Sequence, residues 1–227
     1  LEPIFSGEKK HPCLIHYHGF SGSRGHPADY MAWCMLGLSV IAVDCRGQGG
    51  VTRDDAVYHS GVNSSVVTNG ILDKEEYYYR RVYMDCLRAI DCAESIPSVD
   101  SSRIILEGGS QGGALVMAVS ALDNRPMLAL ADVPSSSDLP SRVLGHHGSF
   151  GAVTDYIRTH PQHMDQVMET LSYFDTMNMA EKICCPVYAS VGLSDAVCPA
   201  KMYFASYNRV QREKHIEVYP FAEHEGG

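Results

Sequence analysis

The 227-residue chain is 45% hydrophobic and 20% charged, the composition of a globular protein rather than a disordered or fibrous one. Its 27 Asp and Glu outnumber 18 Lys and Arg, for a formal charge of -9. That balance excludes nucleic acid as an expected partner, because neutralising a phosphate backbone takes clustered basic residues. No apolar run reaches the ~20 residues of a membrane span, and no basic stretch leads into an apolar one near the start, so no membrane role is expected. Eight cysteines, Cys13, Cys34, Cys45, Cys86, Cys92, Cys184, Cys185 and Cys198, show none of the two-residue gaps of zinc or redox motifs. They read as reduced, buried small hydrophobes, which points to the cytoplasm.

In chain order, six apolar runs of strand length are expected: Cys13 to His18, Leu38 to Asp44, Ile104 to Glu107, Met127 to Ala131, Val187 to Val191 and His215 to Tyr219. They alternate poorly between apolar and polar, as strands of a parallel sheet covered on both faces do. Helices are expected over Pro27 to Leu36, Leu72 to Ser95, Gly113 to Leu122 and Ala200 to Val210. In the second of these, Val82, Cys86, Ala89, Ile90 and Ala93 recur at helical spacing, Asp73, Glu75 and Glu76 occupy the first turns, and Pro97 closes it. Residues 133 to 183, rich in Ser, His and Met, fit the alternation poorly. They read as a cap inserted into one doubly wound α/β domain, with a helical piece at Met164 to Leu171.

Chemistry is concentrated at Gly108-Gly109-Ser110-Gln111-Gly112, a G-x-S-x-G pattern between an expected strand and an expected helix. A serine there sits on a turn so sharp that its flanking positions must be small. Serine is a poor nucleophile without a base, so the pattern calls for an acid and a histidine later in the chain. Asp195, after the fifth strand, and His224, after the sixth, supply them, and all three loops leave a parallel sheet at its carboxyl edge. Asp132 is the rival acid, ranked second because it directly follows the strand beyond the nucleophile helix. The backbone N–H groups of Gln111 and of Phe20, in the turn His18-Gly19-Phe20-Ser21-Gly22, are the expected oxyanion donors. Val197, two residues past Asp195, is a candidate wall of a small acyl pocket, with ordinary loop packing as the equal alternative. His16 with His18, and His146 with His147, lack an acidic ligand at metal spacing, so neither a metal nor another cofactor is expected.

Taken together, Arg46-Gly47-Gln48, Gly108-Gly109-Ser110-Gln111-Gly112 and His224-Glu225, in that order, resemble the three motifs of carbohydrate esterase family 7, the acetyl xylan esterase and cephalosporin C deacetylase group of the α/β-hydrolase fold. The His18-Gly19-Phe20 turn and the Tyr77-Tyr78-Tyr79-Arg80 segment are similar too, and the likeness runs from about Pro12 to Gly227. It implies an esterase that deacetylates small acetylated sugars or cephalosporin C, with Ser110 as nucleophile, His224 as base and Asp195 orienting it, and Phe20 and Gln111 as backbone donors. Family members usually carry tyrosine at the Phe20 position, so any contact from its hydroxyl is lost here. Arg46, Gly47 and Gln48 are read as structural, with the arginine fork holding loop carbonyls. The resemblance also implies an intracellular homo-hexamer. The oxyanion turn of the pattern follows its third strand, yet only Leu1 to Pro12 precede the strand Cys13 to His18 that leads into it here, so two N-terminal edge strands and the C-terminal helix of the pattern are expected to lie outside this chain. A carboxylesterase or peptidase of different acyl specificity, and a silent binding scaffold, are the alternatives.

Overall fold

A computed structural model describes residues 1–4, 10–62 and 65–225. Six strands, β1 (His11–Tyr17), β2 (Ser39–Val43), β3 (Val99–Gly109), β4 (Pro126–Asp132), β5 (Val187–Gly192) and β6 (Lys214–Tyr219), form one sheet in the order β2-β1-β3-β4-β5-β6. Every pairing is parallel. The order reverses direction at β1 and β3, and in such sheets ligands bind outside the carboxyl ends near that switch. Each expected strand forms, with ends shifted by a few residues.

The sheet separates two apolar clusters. Cys13, Ile15 and Tyr17 of β1 and Ile104 and Leu106 of β3 point into the larger one, packed by helices α2 (Tyr78–Ser95) and α3 (Gln111–Leu122). Leu14 and Val40 point the other way, against Tyr30 and against Trp33 of the short helix α1 (Met31–Met35). Further along that second face, Leu130, Tyr188, His215 and Glu217 line an open groove of about 410 Å³, and Tyr188 is 43% exposed. Coverage of the second face is therefore narrower than the apolar runs suggest.

Two helix starts differ from the sequence reading. The helix expected from Leu72 begins at Tyr78, because local turns use the acids meant for its first turn. Asp73 accepts the N–H of Glu75 at 2.8 Å, and Glu76 accepts the N–H of His59 at 2.6 Å. The helix expected over Pro27 to Leu36 splits into a 3-10 turn, Pro27–Tyr30, followed by α1. Between β4 and β5, residues 133 to 183 carry four α-helices rather than one: α4 (Leu139–Leu144), α5 (Gly151–Thr159), α6 (Met164–Ser172) and α7 (Thr176–Met179). Buried Asp175 pins this segment by accepting the N–H groups of Leu139, Asp138 and Met177 at 2.8, 3.1 and 2.9 Å. Helix α8 (Ala200–Tyr207) follows β5. All eight cysteines are free thiols; Cys92 and Cys184 are exposed and Cys34 is half-buried, so those three are not the buried hydrophobes expected. No helix among the described residues is long and apolar enough to cross a membrane.

The turn from β3 to α3 is where packing is least forgiving. A Cβ on Gly112 would lie 1.9 Å from the carbonyl oxygen of Tyr17, and one on Gly108 would lie 2.5 Å from the same oxygen. Backbone cannot yield as a flexible side chain does. Gly112→Ala is therefore expected to destabilise the fold by about 3 kcal/mol or more, read by urea unfolding.

Candidate active site

Ser110 occupies the apex of that turn with φ 57° and ψ -115°, a conformation that L residues rarely adopt. Such strain costs on the order of 1–3 kcal/mol and persists only where surrounding contacts over-determine it. Here the Ser110 N–H donates to the Asp132 carbonyl at 2.9 Å, and the Ser110 carbonyl accepts from Ala114 and Ser135 at 3.1 and 3.0 Å. The hydroxyl is thereby held clear of the backbone, at the carboxyl edge of β3.

Two further loops bring their side chains to the same rim. Asp195 follows β5 and His224 follows β6, and the loops are stitched together by Leu193 N–H to Tyr219 C=O and Ser194 N–H to Ala222 C=O, at 3.0 and 3.1 Å. His224 Nδ1 lies 2.7 Å from Asp195 Oδ2, and its Nε2 lies 2.9 Å from Ser110 Oγ. A carboxylate only accepts, so Nδ1 carries a proton, and in the neutral imidazole Nε2 is left to accept from the serine hydroxyl. The other Asp195 oxygen accepts the N–H groups of Val197 and Cys198 at 2.8 and 2.7 Å, fixing the carboxylate plane. Asp132, the rival acid, instead accepts from the Ser190 hydroxyl. The three residues singled out from the sequence therefore meet, and the rival takes another partner.

Cys198 adds a feature the sequence did not reveal. Its sulfur lies 4.0 Å from Ser110 Oγ, and Asp195, Cys198 and His224 place one ligand-type atom each within 4.8 Å of one another. Both nitrogens of His224 already have partners, so the group reads as a hydrogen-bonded relay rather than an open cage for an ion. The Cys198 sulfur is the largest influence raising His224 to about 9; burial opposes it, and the Asp195 carboxylate adds to it. A base must be neutral to accept a proton, so turnover is expected to rise with pH as His224 deprotonates, with a midpoint displaced from the ordinary 6.5 toward 9. Cys198→Ala should move that midpoint down, measured as kcat/KM against pH. By linkage, a raised histidine pKa contributes stability fully present below about 6.5 and lost as pH rises through about 9.

The turn carrying Phe20 is built by side chains behind it. Buried His18 donates from Nδ1 to the Gly19 carbonyl at 2.7 Å and accepts the Cys45 N–H at Nε2 at 2.9 Å. Burial lowers its pKa, so it stays neutral and serves both bonds. Gln48 accepts the Ser21 N–H at 2.8 Å and pairs its amide with that of Gln111, donating to Gln111 Oε1 at 2.9 Å. Tyr79 donates to the same Gln111 oxygen, and Tyr78 donates to the Arg46 carbonyl, at 2.9 and 2.6 Å. One amide pair thus ties the Phe20 turn to the serine turn.

Arg46 departs from expectation. Its fork grips carboxylates rather than loop carbonyls, donating to both Asp85 oxygens at 2.6 and 2.7 Å and to Asp54 at 3.4 Å. A carboxylate pair offers bidentate, charge-assisted bonds that carbonyls do not. Gly47, at φ 65°, makes the turn between Arg46 and Gln48.

A cavity of about 610 Å³ opens over the serine, lined by Gly19, Phe20, Ser110, Gln111, Val197 and His224 among others. The sequence missed two residues that hold the Asp195 loop from the 133 to 183 segment. Arg142 donates to the Val197 carbonyl, and His147 Nδ1 donates to the Ala196 carbonyl, each at 3.0 Å. No local motif marks either residue, because both act across the insertion.

Residues 3–227 match the family model described as acetyl xylan esterase (AXE1). The acetyl esterase Axe7A of Xylanibacter ruminicola is 34% identical over 158 residues, a match spanning 70% of this chain and 35% of that relative. The solved acetyl xylan esterase from Paenibacillus sp. R4 is 41% identical with a TM-score of 0.94, covering 98% of this chain and 72% of its own. Acetyl xylan esterase 1 from Thermoanaerobacterium sp. JW/SL YS485 is 33% identical with a TM-score of 0.93, covering 100% of this chain and 73% of its own. With a family model matched along nearly its whole length and a sheet, serine turn and cavity of this kind, the chain belongs to the acetyl xylan esterase family and has the α/β-hydrolase fold.

Proposed function

We propose that this chain is a serine esterase that removes acetyl groups from small acetylated sugars such as xylo-oligosaccharides. The observation that carries the reading is the Ser110, His224, Asp195 relay, with contacts of 2.9 and 2.7 Å, at the floor of the cavity. Ser110 Oγ attacks the acetyl carbonyl while His224 Nε2 takes its proton. Negative charge then gathers on the carbonyl oxygen, where the N–H groups of Phe20 and Gln111 receive it. Each such donor is worth about 3–4 kcal/mol of barrier. Collapse expels the sugar hydroxyl, protonated by His224, and leaves acetyl on Ser110. Water, deprotonated by the same imidazole, attacks that ester; acetate departs and the serine is restored. Asp195 keeps Nδ1 protonated and stabilises the imidazolium that forms in each half.

Val197, 41% exposed in the cavity wall beside Cys198, is the proposed limit on acyl length. A profile over 4-nitrophenyl esters tests it. Acetate is expected to be turned over fastest, and higher kcat/KM for octanoate, or cleavage of peptide amides, would overturn the reading. Family resemblance supports three finer readings: cephalosporin C as a further acetate ester substrate, a homo-hexamer, and a cytoplasmic location. Light scattering of the purified protein tests the hexamer.

A further inference from the structure

A buried cation in the cavity wall has no counterion among the described residues. Arg142 is 2% exposed and lines the same cavity as Ser110 and His224. One N–H from Nη1 goes to the Val197 carbonyl at 3.0 Å, while the buried Nε–H has no hydrogen-bond partner among the described residues. Two guanidinium groups that are more exposed are treated differently: Arg46 holds Asp85 and Asp54, and Arg125 holds Asp123, Asp91 and Glu94. Arg142 forms no ion pair with any carboxylate among the described residues. Asp132, the acid in the same wall, takes its hydrogen bond from Ser190. Withdrawing a guanidinium from water without a compensating anion is unfavourable, so such a group is poised to gain from one. Gly148 lines the same cavity next to this guanidinium: a Cβ there would lie 3.1 Å from the Val197 carbonyl oxygen and 3.4 Å from Arg142 Nη1, so a side chain at this position would sit against the guanidinium.

We propose that Arg142 is an anion anchor that determines specificity: among the acetylated sugars this site takes, those that also carry a carboxylate are favoured, the carboxylate pairing with Arg142 while the acetyl group lies against Ser110. An acidic sugar ester has this chemistry and a neutral one lacks it. The inference rests on reading the cavity as an acetyl esterase site. A planar fork facing a carboxylate makes two parallel, charge-assisted hydrogen bonds, which an amide of the same shape cannot match.

The test compares benzoate with benzamide as inhibitors of 4-nitrophenyl acetate hydrolysis and, independently of turnover, as ligands in titration calorimetry. Benzoate is expected to bind at least about 10-fold more tightly than benzamide, the margin of a desolvated charge-assisted pair over a neutral one. KM for 4-acetoxybenzoate should likewise fall below that for 4-acetoxybenzamide. Arg142→Met should erase the difference, with its fold checked by circular dichroism. Gly148→Asn, a substitution tolerant of the left-handed backbone there, should shrink the difference by covering the guanidinium, even where the arginine variant does not fold. Equal binding of benzoate and benzamide by the wild-type protein would overturn the anchor. So would a preference that survives in a folded Arg142→Met protein, which would place the carboxylate at the Phe20 and Gln111 N–H groups instead. Carboxylate preference without any ester hydrolysis would defeat the esterase reading alone, and hydrolysis without the preference would defeat the anchor alone.

Discussion

Ser110→Ala is expected to reduce kcat for 4-nitrophenyl acetate by roughly 10⁴- to 10⁶-fold, with an unchanged circular dichroism spectrum. The scale follows from how catalytic groups act as a unit: once the nucleophile is gone, only the oxyanion donors and binding remain to assist attack by water. Structure retention follows from the contacts that hold the turn. Its strained backbone is fixed by bonds from Ser110 N–H to Asp132 and to the Ser110 carbonyl from Ala114 and Ser135, none of which uses the hydroxyl. Removing Oγ leaves His224 paired to Asp195. Turnover within tenfold of wild type would remove Ser110 from the mechanism.

Asp195→Asn is expected to lower kcat by about 10⁴-fold while KM changes little. The carboxylate at 2.7 Å forces the proton onto His224 Nδ1. An amide there presents its NH₂ group as a donor, because the other position accepts the N–H groups of Val197 and Cys198. The imidazole then turns its lone pair to the introduced amide and its proton toward Ser110, which is the wrong tautomer for a base. Steady-state kinetics of the purified variant provide the check, and the same loss from Asp132→Asn would return the rival acid to contention.

The sequence was most informative where chemistry imposes residue type and order. Ser110, Asp195 and His224 stand out because a strand, a sharp turn and chain order restrict the options, and the structure joins them through His224 by contacts of 2.7 and 2.9 Å. Strands were legible because a covered parallel sheet demands continuous apolar runs. The 133 to 183 segment was not: α4 to α7 are short, and buried Asp175 and Arg142 hold them through partners 36 to 55 residues away. Long-range bonds of that kind leave no periodicity. The start of α2 differs from the sequence reading for a related reason, since Asp73 and Glu76 stabilise turns as readily as a helix N-terminus. Arg46 reads as structural from the sequence, but its partners Asp54 and Asp85 lie on a loop and a helix that only the fold brings together. Cys198 read as a small hydrophobe, and its contact with Ser110 depends on the bend of the Asp195 loop.

In the proposed mechanism acetyl passes through a covalent ester on Ser110. Mass spectrometry of protein quenched in acid during turnover of 4-nitrophenyl acetate addresses it directly. The expected result is a mass increment of one acetyl group, located on the peptide containing Ser110 and absent from Ser110→Ala. An increment on another residue, or acetate release by a Ser110→Ala protein at the wild-type rate, would contradict it.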